Sequence, residues 1–202
     1  MALSTYAELQ TSIADFLNRE DLTATIPVFI ALCEADMNRR LRHWRMEVRA
    51  TTPLDTQYSA LPERWLEVIR LKIDTDALRL IDQATLLDYS QARDGTTGQP
   101  CYYAITNGTL EVFPIPDQAY TGEMVYYEKI TALSDSNVSN WVLEHNPDAY
   151  LYGALVHSAP YLQDDARAAV WASMYQNAVD AANAQSAAAK MSGSGVRMRV
   201  GR

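Results

Sequence analysis

The chain has 202 residues, of which 48% are hydrophobic and 21% charged, and its formal net charge is −8. That is ample apolar material for a buried core and too little charge for global disorder. The acidic balance argues against broad binding to nucleic acid or anionic lipid, whose phosphates it repels.

"STYAELQTSIADFLNRED" reads as a short helix. Thr5 and Glu8 fit a capping box, and Leu9, Ile13, Phe16 and Leu17 form an apolar stripe. "TIPVFIALCEADMNRRLRHW" reads as a longer helix with Pro27 in its first turn. Phe29, Leu32, Cys33, Met37, Leu41 and Trp44 recur at helical spacing. Arg39, Arg40, Arg42 and Arg45 crowd its C-terminal end, where cations complement the helix dipole.

From Glu47 the pattern changes to alternation. "WLEVIRLKID", "ALRLID" and "GEMVYYEKI" read as strands. "QATLLDYSQAR" has room for a short helix capped by Asp82. In "CYYAITNGTLEVFP", Asn107-Gly108 predicts a type I′ hairpin turn, because both residues accept positive φ. Neighbours in a strand point to opposite faces, so one tyrosine of Tyr102-Tyr103 and one of Tyr126-Tyr127 is expected to enter the core.

Helix returns with "SNWVLEHNPDAYLYGALVHSAPYL", where Asn146 caps and Pro147 opens the helix. The last helix, "ARAAVWASMYQNAVDAANAQSAAAK", places Val170, Met174 and Ala178 on one side. The order predicts an α+β fold: an antiparallel helical bundle from the N- and C-terminal helices, a β-rich middle insertion and an extended C-terminal tail. The bundle is expected over residues 1–46 and 138–190, the insertion over 47–137 and the tail over 191–202.

Local chemistry is sparse. There is no phosphate-binding glycine loop and no G-x-S-x-G. Cys33 and Cys101, 68 residues apart, suit neither a disulfide framework nor a zinc motif and read as reduced thiols made in a cytoplasm. The first 20 residues show no secretory pattern. No run reaches the roughly 20 apolar residues of a membrane helix. The one candidate for metal or acid–base work is Glu144, His145, Asp148 and His157, whose spacing matches no established ligand motif. It defines an alternative reading as a small metal-dependent hydrolase; a monomeric helical binding module is another. The leading expectation includes no cofactor and no catalytic residue.

"RRLRHWRMEVR" holds five arginines in eleven residues, a pattern suited to carboxylate pairing between chains. "KMSGSGVRMRVGR" closes the chain with four basic residues and no acid, against a formal −12 for everything before it. Val196, Met198 and Val200 alternate with Arg197 and Arg199, and Arg202 ends the run. That period allows strand addition to a partner.

Longer stretches carry a resemblance. Asn140-Trp141, the run Pro147-Asp148-Ala149-Tyr150-Leu151-Tyr152-Gly153-Ala154-Leu155, Tyr161-Leu162, Asp164-Asp165, Trp171 and Tyr175 resemble the C-terminal helical segment of tailed-bacteriophage head-to-tail adaptor (connector) proteins. "YAELQTSIADFLNREDLTATIPVFIALCEADMNRRLR", "LPERWLEV" and "FPIPDQAYTGEMVYYEKI" are similar to the same family's opening helices and strands. The resemblance implies a structural, non-enzymatic virion protein of the neck. It forms a ring, typically of twelve subunits, that joins portal to tail or nozzle and lets DNA pass without specific binding. It implies portal or neighbour docking by Val196, Arg197, Met198, Arg199, Val200 and Arg202. Arg39, Arg40, Arg42, Arg45, Trp141, Tyr150, Trp171 and Tyr175 are then the candidates for subunit interfaces.

Overall fold

The computed structural model describes residues 3–93, 95–162 and 167–192. The chain divides into two compact units, Met1–Arg45 with Ile130–Arg202, and Met46–Lys129.

The first unit is helical. Helix α1 (Tyr6–Leu17) opens on the expected capping box. The Glu8 N–H donates to Thr5 Oγ1 at 3.3 Å, and the Thr5 N–H donates to Glu8 Oε2 at 3.0 Å. Asn18 closes it in the left-handed region, which asparagine tolerates. Helix α2 spans Ile26–Arg40. It ends earlier than its apolar spacing predicts, because a side chain from the last helix captures the departing backbone. Asn183 accepts from the Arg42 N–H at 2.9 Å and donates to the Arg40 carbonyl at 3.1 Å. A short 3-10 turn follows at Trp44–Met46.

In the second unit, strand β1 (Glu47–Leu54) pairs antiparallel along its whole length with Tyr120–Glu128, the last strand, β8. Strand β3 (Trp65–Ile73) pairs with the other side of β8 through two register shifts, and β4 (Asp76–Ala77) folds back on β3. A separate sheet runs β2 (Tyr58–Ala60), β7 (Thr109–Phe113), β6 (Tyr102–Thr106), β5 (Arg79–Leu80), with β5 parallel to β6. The β6–β7 turn is the predicted one, with Asn107 and Gly108 at φ +48° and +73°. Leu54, Leu71, Ile73, Tyr103, Leu110, Val112, Met124 and Tyr126 form one core with contributions from both sheets. Tyr103 and Tyr126 are buried while Tyr102 and Tyr127 are half-buried, as strand alternation requires. Helix α3 (Gln83–Ala92), capped by Asp82 as expected, covers a smaller cluster of Leu86, Ala104 and Phe113.

The chain returns to the first unit at Ile130. The Leu133 N–H donates to the buried carboxylate of Glu34 at 2.7 Å. Asn140 caps the short α4 (Trp141–His145), and α5 (Pro147–Leu162) starts at the predicted proline. Helix α6 spans Ala168–Met191. Gly153 lets three helices meet: a Cβ there would stand 2.3 Å from Cys33 Sγ and 2.9 Å from the Tyr175 ring.

The expected fold is corrected in its architecture. Helix α5 is a hub packed on α1, α2, α4 and α6. The N-terminal α2 and the C-terminal α6 are not antiparallel partners: Asp36 meets Tyr175, Arg40 meets Gln176, and Trp44 meets Ser186, so both run the same way. The middle is two four-stranded sheets with a helix of its own. The extended tail lies outside the described residues. No helix among them is long and apolar enough to cross a membrane.

Candidate assembly surface

The arginine cluster divides by burial. Arg39 is exposed and pairs with Asp36 at 3.0 Å. Arg40 is half-buried, reaches the same carboxylate at 3.2 Å and Gln176, and lies over the Tyr175 ring at 5.0 Å. Burial pushes the Asp36 carboxyl up, but the Tyr175 hydroxyl and the two guanidinium groups outweigh it and hold the group below its usual range. Arg42 turns back onto the carbonyls of Leu41 and Asn38 at 2.7 and 3.1 Å. Exposed Arg45 lies over the Trp44 ring at 4.7 Å and donates to His145 Nε2 at 3.0 Å.

The expected aromatic contacts fall into two groups. Trp141 is half-buried and stacks on His43 at 4.7 Å. Tyr150, Trp171 and Tyr175 lie inside the first unit, at 0%, 5% and 3% exposure. Tyr150 donates to Glu34 Oε1 at 2.9 Å and accepts from Asn140 Nδ2 at 2.7 Å. Tyr175 donates to Asp36 at 2.8 Å. Burial pushes the Glu34 carboxyl above its usual range, against the opposing hydrogen bonds from Leu133 and Tyr150. Burial, then the Glu34 charge, raises the Tyr150 hydroxyl far beyond any working pH. The docking residues Val196, Arg197, Met198, Arg199, Val200 and Arg202 lie outside the described residues.

The proposed metal cluster does not assemble. No three His, Cys, Asp or Glu side chains among the described residues could hold one ion. His145 accepts from Arg45 and meets the Trp141 carbonyl at 3.1 Å through Nδ1. Glu144 accepts from Ser139, Asp148 is exposed, and His157 is half-buried with its pKa lowered by burial. A cavity of about 630 Å³ includes Gln57, Ser90, Gln91, Arg93 and Phe113 in its lining, with no His, Cys or carboxylate among the described residues that line it.

What the helices leave exposed was missed by periodicity. Phe16, Leu32, Val170 and Met174, each read as part of an apolar helical pattern, are 42%, 47%, 55% and 43% exposed. The buried face of α6 is Trp171, Tyr175, Ala178, Val179, Ala182 and Ser186 instead. On α2, exposed Val28, Ala31, Leu32 and Ala35 recur at i, i+3, i+4 and i+7, opposite the buried Phe29, Ile30, Cys33 and Met37. These exposed residues give α2 a second apolar face.

Comparison with protein families matches the SU10 adaptor protein family over residues 4–199. The chain belongs to that family, a family of phage head-to-tail adaptors. Comparison with curated proteins finds no match. The phage adaptor is a virion component, and its family implies contacts with other virion proteins.

Proposed function

We propose that this adaptor is a structural, non-catalytic ring subunit, twelve to a ring, seated between portal and tail in the virion neck. The observation that carries the reading is the apolar surface on α2: Val28 and Leu32 are 54% and 47% exposed, with Ala31 and Ala35 between and beyond them. Arg39 continues that face one turn on and is exposed. Val170 and Met174 offer a second apolar strip on α6. Ring closure by head-to-tail contacts joins two different surfaces of each copy, and these two strips supply them. Arg45 and Trp141 add polar and aromatic contacts at the rim.

The formal −12 of residues 1–189 disfavours DNA adhesion and lets the genome pass through the lumen. The basic segment Val196–Arg202 docks on the portal or a neighbouring subunit. Residues 1–46 and 138–190 form the subunit contacts of the ring, with 47–137 as the β-rich insertion.

Co-sedimentation with portal particles tests the reading. The full chain is expected to pellet with portal, whereas a chain ending at Met191 and the V28E/L32E variant stay in the supernatant. Unchanged attachment of the shortened chain refutes docking by the tail. Unchanged attachment of V28E/L32E refutes the helical contact surface.

A further inference from the structure

The second unit contains a buried carboxylate that no cationic side chain among the described residues meets. Glu111, on β7, is 8% exposed. Its oxygens accept from Gln57 Nε2 at 3.1 Å and from Gln83 Nε2 at 2.6 Å. Gln83 is itself held by the Thr106 hydroxyl at 3.1 Å. Among the described residues, no Lys, Arg or His lies within ion-pair distance of Glu111. Buried charges are ordinarily paired with a counter-charge, because removing an ion from water is costly. Two neutral amides satisfy its hydrogen bonds and leave its charge uncompensated.

The carboxylate does not sit in a closed interior. It lines an open pocket of about 330 Å³ with Tyr58, Gln83, Thr106 and Thr109. Tyr58 stands opposite Glu111 in the β2–β7 register and is 57% exposed. The Glu111 charge is near enough to raise the Tyr58 hydroxyl pKa. Strand β2 is an edge of its sheet, so the pocket opens at a margin that another chain can approach.

A recessed carboxylate, hydroxyls and an exposed aromatic face form a receptor for a cation. A divalent metal ion needs about six oxygen ligands, and a single carboxylate is a poor start. A guanidinium fits better. Its planar fork pairs with a carboxylate, and its face stacks on tyrosine. The sequence contains a matching donor. Residues 195–202, "GVRMRVGR", carry three arginines and no acid, whereas Met46–Lys129 holds 7 Lys and Arg against 13 Asp and Glu.

We infer that the Glu111 pocket receives an arginine side chain, and that the C-terminal segment of a neighbouring copy supplies it. The pocket's chemistry stands by itself; the choice of a neighbour rests on the oligomer proposed above.

The test is a fluorescence-anisotropy titration of a labelled GVRMRVGR peptide into the full-length chain carrying R197A/R199A/R202A, whose own tail cannot compete. Saturable binding is expected, weakened at least about tenfold by adding E111Q, and about threefold by adding Y58A. Replacing the peptide arginines by citrulline, a neutral isostere, should abolish it without touching the fold. Unchanged affinity with E111Q or with citrulline, or no saturation up to millimolar peptide, overturns the pocket. Equal affinity for a shuffled peptide of the same composition overturns the C-terminal segment as its occupant. None of these results depends on portal attachment, so failure here and failure of the adaptor reading are separable.

Discussion

Among the described residues each unit buries one glutamate, and the two are nearly equal in exposure: Glu34 at 7% and Glu111 at 8%. Their surroundings differ. Glu34 accepts from a backbone N–H on the segment re-entering the first unit and from the fully buried Tyr150. Asn140 extends that network to the Thr131 carbonyl at 2.7 Å and to the N–H groups that open α4. Glu111 accepts from two glutamine side chains and borders an open pocket. Burial alone therefore does not assign a role. A carboxylate tied to backbone and core hydroxyls holds the fold, and one tied to side-chain amides beside open space is available to a ligand.

The comparison is broken most strongly by removing each acceptor. E34A leaves the Leu133 N–H and the Tyr150 hydroxyl without their acceptor and is expected to lose about 3 kcal/mol of stability in urea unfolding. E111A frees two amides that can turn toward solvent, and its loss should be about 1 kcal/mol or less. Equal losses would erase the distinction. G153A attacks the Glu34 network from outside, by forcing α5 off Cys33 and Tyr175. Overpacking of about 3 kcal/mol is offset by about 1 kcal/mol of helix propensity, for a net loss of about 2 kcal/mol in the same measurement.

Titration sharpens the contrast. Burial raises the Glu34 carboxyl in the folded state, so the folded chain binds that proton more tightly than the unfolded one. Its contribution is complete below the unfolded pKa of about 4.3 and declines as pH rises through the higher folded value. The stability difference between the unmodified chain and E34Q should fall across that window and then flatten. A difference independent of pH from 4 upward would contradict the raised value. The smallest effect on the monomer is expected from V28E/L32E, within about 0.5 kcal/mol, although these substitutions are expected to abolish assembly.

What could be read from sequence was local chemistry. The Thr5–Glu8 box, the Asp82 cap, Pro147 and the Asn107-Gly108 turn each lie within a few residues of the structure they determine. The end of α2 was hidden because Asn183 causes it from 143 residues away. Periodicity also gave an apolar stripe on α6 without saying which apolar residues face the core. Trp171 and Tyr175 took the interior, leaving Val170 and Met174 outside. Glu111 was invisible for a related reason. In "TLEVF", Leu110 and Val112 mark one buried face, so Glu111 reads as solvent-facing. Helix α3 covers the other face, with Phe113 beneath it and Gln83 at its start. Phe113, on Glu111's own side of the strand, was the available signal that both faces are covered.

The central claim is assembly into a ring on the portal. Its most direct test is the rotational symmetry of electron-microscopy class averages of the full chain mixed with portal particles. The account predicts one added ring of twelve-fold symmetry, lost with V28E/L32E. Portal particles that stay bare, or single copies bound without closing a ring, would contradict it.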